Sequence, residues 1–258
     1  MSWRRLRVLI GFESKRAWGA IGMRIAVAAM PLVLLIFLQN MFDFIVEAEG
    51  FEGRPGSTLG IPGVGVLFTF MALTFFGWTA FDEHAWGTWD RQRSGPARPT
   101  EVLGAKLVVT WIHLSIQLFA LFVIGIIWFQ LTASGSWWGV VMVGAVCATV
   151  AAAYGFMVFV LTPTSTLYLI PCHVGALVMA GLGGCLSPTS MMPRWISVIS
   201  PATPTYWMMR GFRSSLLEGA GVVGVIRPCI LALCFGVAFA AIGWWRFDPE
   251  VHKRAFSE

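Results

Sequence analysis

Long apolar runs alternate with short polar segments along the whole chain, and this pattern predicts a membrane protein. A helix rises 1.5 Å per residue, so about 20 apolar residues cross the ~30 Å hydrocarbon core of a bilayer. Six runs are long enough, and they predict an integral membrane fold of six transmembrane helices, all-α, in a single domain over residues 1–258. The predicted spans lie near residues 23–46, 61–81, 105–131, 138–161, 166–186 and 222–245.

Two segments outside these spans have patterns of their own. Residues 2–19 place Leu6 and Ile10 at helical spacing against Arg4 and Arg5, which predicts an amphipathic helix in the membrane interface. Residues 187–221 are too polar and proline-rich to cross the membrane, yet too apolar for a free loop. Irregular backbone at membrane depth survives only where protein surrounds it. The second segment is therefore expected to form a re-entrant or interfacial pair of short helices between spans five and six.

Composition supports a membrane protein, and the distribution of charge predicts its orientation in the membrane. Apolar residues make up 57% of the chain and charged residues 12%, against about 25% charged in a soluble domain. The net charge of +5 is expected to anchor the protein in the membrane rather than to bind nucleic acid. Of the Lys and Arg residues, 13 lie on the side of the termini and five on the other. The positive-inside rule then puts both termini in the cytoplasm, in a multi-pass protein of a bacterial-type inner membrane.

Several kinds of chemistry are not indicated by the sequence. No GxxxxGK[ST] motif is present, so any ATP would be hydrolysed by another subunit. No carboxylate lies in the middle of a predicted span, which argues against a carrier driven by protons or sodium. His113 and His173 are interpreted as packing or cavity residues, with a proton relay as the alternative. No catalytic motif or metal-ligand spacing occurs, and the five cysteines are interpreted as membrane-buried small residues.

One short connection is dense in charge and tryptophan. Residues 82–101 read "DEHAWGTWDRQRSGPARPTE", and Gly95, Pro96 and Pro99 stop any helix that begins there. Two interpretations stay open at this point. The segment is either an interfacial hairpin anchored by Trp86 and Trp89, or a short cytoplasmic helix that transmits force from a soluble partner.

In the order of these features, the chain resembles the type-2 family of ABC-transporter permeases, the transmembrane subunits of exporters. The resemblance covers nearly the whole chain. It begins with the amphipathic "RRLRVLIGFESKRAW" and continues through "FDEHAWGTWDRQRSGPARPTEVLGAK", in which an acidic residue, a Gly-Thr pair and a basic cluster precede a restart at Gly104-Ala105-Lys106. It ends in "ISPATPTYWMMRGFRSSLLEG" before the sixth span.

The resemblance implies partners and roles for individual residues. It implies a homodimer, or a heterodimer with a related permease, that pairs in the lipid bilayer with two nucleotide-binding subunits. ATP and Mg would be bound by those subunits, and this chain would hold no cofactor. The docking and coupling surface would comprise Glu83, Gly87, Thr88, Asp90, Arg91 and Arg93, and more loosely Arg4, Arg5 and Arg7. The extracellular re-entrant gate would comprise Pro188, Pro193, Pro201, Trp207 and Arg210.

On this hypothesis the charges of the coupling helix face the ATPase, while Trp86 and Trp89 seat one face of it against the membrane. Arg210 and Arg213 are expected near lipid headgroups or paired with an acidic residue (Asp43, Glu47 or Glu218). Spans one, two and five offer a mostly apolar surface, which indicates an amphipathic or hydrophobic substrate such as a drug, an antibiotic or a lipid. The polar exceptions, assigned to the substrate path, are Gln39, Asn40, Thr69 and Thr74. The alternative function is a secondary carrier or channel without an ATPase partner.

Overall fold

The computed structural model describes residues 3–18, 21–93, 98–248, 250 and 253. Every regular element within these ranges is helical, as the sequence predicts. The α-helices are α1 (Trp3–Trp18), α2 (Ile21–Ala48), α3 (Ser57–Met71), α4 (Thr74–Ala85), α5 (Thr88–Arg93), α6 (Pro99–Trp128), α7 (Trp137–Leu161), α8 (Ser165–Ile170), α9 (Ala176–Leu182), α10 (Arg194–Ile199), α11 (Pro204–Leu216) and α12 (Val222–Arg246).

Six stretches of the described chain are long and apolar enough to cross a membrane, which confirms the predicted number of spans. They are Ala29–Ala48, Ser57–Ala85, Pro99–Trp128, Trp137–Leu161, Ser165–Leu182 and Val222–Arg246. The third span begins at Pro99 rather than near residue 105. Proline suits the first turn of a helix, where no backbone N–H is needed, and the Arg98 N–H donates to Glu101 Oε2 over 3.2 Å.

The second and fourth spans form the centre of the bundle, because most of their residues are buried while the other four expose apolar side chains. The fourth span, α7, packs along α12. Their backbones come close at Gly243, where an added Cβ would lie 2.8 Å from the Phe156 ring. Four of the five cysteines are buried, and Cys234 is exposed on α12.

Two spans are irregular near their midpoints. The second span breaks at Ala72 and Leu73, between α3 and α4, and the fifth contains a π-helical segment, Pro171–Gly175. The Tyr168 hydroxyl of α8 donates to the Leu73 carbonyl over 2.9 Å. This hydrogen bond satisfies a backbone carbonyl at the break of the second span. It also places the two irregular segments side by side. π-helical segments are frequent at functional sites.

The segment between spans five and six consists of short helices. It runs through the 3₁₀ turns Thr189–Met191 and Ser200–Ala202, with α10 between them, into α11. Thr203 caps α11, since its Oγ1 accepts from the Tyr206 N–H over 3.4 Å, and Pro204 occupies the first turn. The placement of this segment and of α1 in the membrane interface remains a prediction.

Candidate functional site

Three charged side chains from different helices meet inside the protein where α5 lies; we call this side of the bundle the α5 end. Lys106 lies near the start of α6, Glu83 near the end of α4, and Glu13 on α1. The Lys106 Nζ is 2.8 Å from Glu83 Oε1 and 2.9 Å from Glu13 Oε1. All three side chains are at most 5% exposed. We call this cluster the ion triad.

The ion triad fastens three helices together. Removing charges from water costs several kcal/mol per ion, and close pairing offsets that cost. One lysine here serves two carboxylates, and it also lies 3.5 Å from the Thr79 carbonyl oxygen. Removing one partner of a buried pair typically destabilises a protein by about 3–5 kcal/mol. Movements of α1, α4 and α6 at this end are therefore tied to one another.

The triad changes the role expected of Glu83. Its side chain is fully buried, so its carboxylate does not face a soluble partner as the docking hypothesis supposed. The sequence carried a signal for this arrangement. Glu13 is the one acidic residue among the first 24, and Lys106 is the one cation of the predicted third span. A single acidic residue and a single lysine in such apolar or basic segments indicate a buried ion pair.

The α5 segment begins with a sharp reversal at Gly87, whose φ is +64°. Glycine tolerates this left-handed conformation without a steric cost. The Thr88 Oγ1 donates back to the Glu83 carbonyl over 3.2 Å. The reversal separates the two tryptophans: Trp89 is 5% exposed and Trp86 is 78% exposed. They do not share a face as expected, because they do not belong to one continuous helix.

The remaining residues of the expected docking surface are divided between exposed and undescribed positions. Arg91 and Arg7 are exposed, and Thr88 is half-buried. The side chains of four residues lie outside the described part of the chain: Arg4, Arg5, Asp90 and Arg93. Arg91, Arg7 and Trp86 therefore present charge and aromatic surface at the α5 end.

Aromatic rings connect α5 to the end of α7. The Trp89 ring of α5 lies 4.9 Å from the His84 ring, and His84 lies 6.3 Å from the Phe159 ring of α7. Phe159 also packs edge-on against Phe81, at 5.2 Å between ring centroids. Such aromatic contacts are worth about 0.5–1.5 kcal/mol each beyond their buried area. These contacts seat α5 on α4, which the ion triad joins to α1 and α6.

A cavity of about 450 Å³ lies between the first, second and fifth spans. Most of its wall is apolar, with Phe68, Phe75 and Trp78 among the lining residues. Its polar groups are the Thr74 hydroxyl and the His173 ring, whose Oγ1 and Nε2 atoms lie 3.4 Å apart. His173 belongs to the π-helical segment, and Thr74 follows the break of the second span. Both irregular segments therefore border this cavity, which we call the central cavity.

The structure separates the four residues expected on the substrate path. Thr74 lines the central cavity. Thr69 lies in the interior instead, where its hydroxyl donates to the Gly65 carbonyl over 2.7 Å. Gln39 and Asn40 are exposed on α2. His173 was interpreted from the sequence as a packing or cavity residue, and it joins Thr74 because a tertiary contact brings spans two and five together.

A second ionic cluster lies at the opposite side of the bundle, which we call the α11 end. The Arg213 Nη1 is 2.5 Å from Glu49 Oε2, and the Arg213 Nε is 3.1 Å from Glu218 Oε1. Ser190 donates to the other Glu49 oxygen over 2.7 Å. The expected partner Glu218 is thus present, but Glu49 takes the place foreseen for Asp43 or Glu47. The Asp43 Oδ1 instead accepts from the Gly56 N–H.

The proline and tryptophan positions expected at the outer gate have different environments. Pro188 is buried and Pro193 is exposed. The Trp207 Nε1 donates to the Pro201 carbonyl over 2.9 Å, so these two residues brace the turn before α11. Arg210 is half exposed and lies 3.9 Å from Glu218. Among these gate residues, Pro188 and Arg210 line a cavity of about 150 Å³ at this end.

Comparison with known proteins gives one family match. The family model described as "ABC-2 type transporter" matches residues 4–217. No match was found among the curated proteins. The matched range includes the ion triad, α5, the central cavity and nearly all of α1. It also includes the cluster at the α11 end except for Glu218.

Proposed function

Since the chain belongs to the ABC-2 type transporter family and is therefore an ABC-transporter permease subunit, we propose that it serves an exporter. In this proposal a separate nucleotide-binding subunit binds ATP and Mg and hydrolyses the nucleotide. Two such subunits would dock onto two permease chains, as a homodimer or as a heterodimer with a related permease. The observation that carries the proposal is the attachment of α5 to the end of α4, which the ion triad joins to α1 and α6.

The α5 end would face the cytoplasm. The cationic side chains of Arg7 and Arg91 are exposed there, and more Lys and Arg residues lie on this side than on the other. An inner-membrane protein with both termini in the cytoplasm fits this distribution. The α11 end would then face the outside.

The ion triad and the aromatic contacts would transmit the movement of the nucleotide-binding subunits. A partner that pushes on α5 moves α4, because Thr88 bonds to the Glu83 carbonyl and Trp89 packs on His84. Lys106 spreads the same movement to α1 and α6. Above Glu83, α4 continues to Thr74 at the central cavity, so the docking site and the cavity share one helix.

The substrate would be amphipathic. The central cavity offers aromatic and aliphatic walls and a small polar site, which is typical of pockets for drug-like or lipid-like molecules. His173 Nδ1 lies 3.0 Å from the Leu169 carbonyl oxygen. If that nitrogen carries the ring proton, Nε2 can accept a hydrogen bond from a substrate donor.

Charge reversal at Arg91 tests the docking role. We expect Arg91→Glu to weaken association with the nucleotide-binding subunit by about tenfold or more, because like charges placed across an interface cost several kcal/mol. Association would be measured by co-purification with the products of neighbouring genes, and export by uptake into inverted vesicles.

Arg194→Glu is the matched control, since Arg194 is also an exposed arginine but lies on α10 toward the opposite end. It should leave association unchanged. Normal binding and normal export by the Arg91 variant would refute docking at α5. Purification without any nucleotide-binding subunit, together with transport that needs no ATP, would favour a carrier or channel instead.

A further inference from the structure

The described residues that follow the last span lie along α7, toward its C-terminal end. The Phe247 ring, just after α12, lies 6.3 Å from the Phe156 ring of α7. Lys253 is 9% exposed and reaches the end of the same helix. These two contacts, six residues apart, place the described part of the C-terminal tail against α7 at the α5 end.

Lys253 caps the end of α7. Its Nζ donates to the carbonyl oxygens of Phe159 (2.7 Å), Val160 (3.1 Å) and Thr162 (2.7 Å). The last four carbonyls of a helix have no partner within it, and the end of the helix carries a partial negative charge. An ammonium group has three hydrogens to donate, so this one side chain serves three carbonyls at the end of α7.

Burial does not remove the charge that makes this cap effective. It lowers the pKa of Lys253 from its ordinary 10.5 to about 8. At pH 7 the ammonium form therefore still predominates. The Nζ also lies 4.8 Å from the centroid of the Phe159 ring, within the range of a cation–π contact.

Phe159 connects this cap to α5. Its ring packs against Phe81 and lies 6.3 Å from the His84 ring, which in turn packs on Trp89. Lys253 therefore contacts both the backbone and the ring of Phe159. The end of α4 packs on that same ring. Lys253 is therefore connected to α5 through Phe159 and His84.

We propose that Lys253 is a positioning residue for energy coupling, which holds Phe159 in place so that movement of α5 is passed to α4. This inference rests on the proposed docking role of α5. Without the cap, three carbonyls at and just beyond the end of α7 lose their hydrogen bonds to Lys253, and Phe159 gains conformational freedom. Part of each docking movement would then be absorbed at the end of α7. The nucleotide-binding subunit would still bind, but ATP hydrolysis would drive less transport.

The test compares Lys253→Met with Lys253→Arg in the assembled complex, reconstituted in lipid vesicles. The measured quantity is the amount of substrate transported per ATP hydrolysed. Coupling free energies between sites commonly correspond to factors of 5–150, so we expect this ratio to fall at least about fivefold in the methionine variant. Arginine keeps the cation and its donors, and should restore most of the ratio.

Arg246→Met is the matched control. Arg246 is an exposed cation at the end of α12 that lies over the Trp245 ring, and its loss removes the same charge from the same region. It should leave transport per ATP unchanged. An unchanged ratio in Lys253→Met overturns the inference, as does an equal loss of folded protein in both Lys253 variants, which would mark a structural role alone. A wild-type chain that binds no nucleotide-binding subunit would overturn the proposed function together with the inference.

Discussion

Two threonines of the second span show how the position of a residue decides what its side chain can contact. Thr69 and Thr74 both donate their hydroxyl hydrogens to carbonyls of their own span. Thr69 is buried among apolar residues, whereas Thr74 lies against His173 on the central cavity. Their chemistry is the same, but only Thr74 can contact a substrate in that cavity.

Valine at each threonine should therefore give different results. Val has the shape of Thr without the hydroxyl, and a hydrogen bond is worth about 0.5–1.5 kcal/mol. We expect Thr74→Val to raise the KM for an amphipathic substrate that donates a hydrogen bond by about 2- to 10-fold. Thr69→Val should leave that KM unchanged. Uptake by inverted vesicles over a range of substrate concentrations measures both. Equal effects of the two variants would contradict a polar substrate contact at Thr74.

The roles of individual residues were hard to predict from the sequence, because they depend on contacts between distant parts of the chain. Glu83 was expected to face a partner, because the family resemblance places it on the docking and coupling surface. Its partners Lys106 and Glu13 lie 23 and 70 residues away in the chain, and nothing in the local pattern reveals the contact. Lys253 was counted only as an anchoring charge for the same reason.

At the scale of elements, the reversal between α4 and α5 depends on one glycine. Gly87 has a φ of +64°, and an added Cβ would meet nothing within 4 Å. Gly87→Ala therefore causes backbone strain without a clash, and left-handed backbone costs an ordinary residue about 1–2 kcal/mol. We expect a lower unfolding temperature and weaker association with the nucleotide-binding subunit, as read by thermal unfolding and co-purification.

Two other substitutions make this prediction specific. Gly87→Asn should retain much of the wild-type behaviour, because asparagine tolerates the left-handed region better than alanine. Gly104→Ala is the control, since Gly104 lies in α6 and also has open space around its Cα. Alanine is favoured over glycine within a helix, so that variant should be at least as stable as the wild type. A Gly87→Ala protein as stable and as well coupled as Gly104→Ala would contradict the role of the reversal.

The existence of the spans was predictable, but their interruptions were not. Apolar length alone predicts six crossings, and all six are present in the described chain. The second span breaks at Ala72 and Leu73, two residues that favour helix, so no proline or glycine marks the position. The break is stabilised by Tyr168 from another span, which is a tertiary contact. The fifth span did carry a signal, since Pro171 opens the π-helical segment.

At the scale of the whole molecule, ionic clusters lie at both ends of the bundle. The ion triad ties α1, α4 and α6 at the α5 end, and the Glu49–Arg213–Glu218 cluster joins α2 and α11 at the α11 end. The central cavity lies among the spans, between the break of the second and the π-helical segment of the fifth.

The proposed orientation can be tested on intact cells. Ser190→Cys, at an exposed position of the α11 end, should react from outside with a maleimide that does not cross membranes. Lys15→Cys, exposed on α1, should react only after the cells are opened. The positive-inside rule requires this order. Labelling of the Lys15 position alone in intact cells would reverse the orientation, and with it the direction of docking.

If the second span bends at its break, α4 would tilt about a point beside the central cavity. Its 12 residues extend about 18 Å at 1.5 Å per residue, so a tilt of about 10° at the break shifts the α5 end by about 3 Å. Trp78, four residues from the start of α4, would shift by only about 1 Å under the same tilt. The wall of the cavity would thus be turned rather than displaced. A large displacement at the docking surface would then produce a small reorientation of the Thr74, Phe75 and Trp78 side chains. The force on these side chains would rise in the same ratio as the displacement falls.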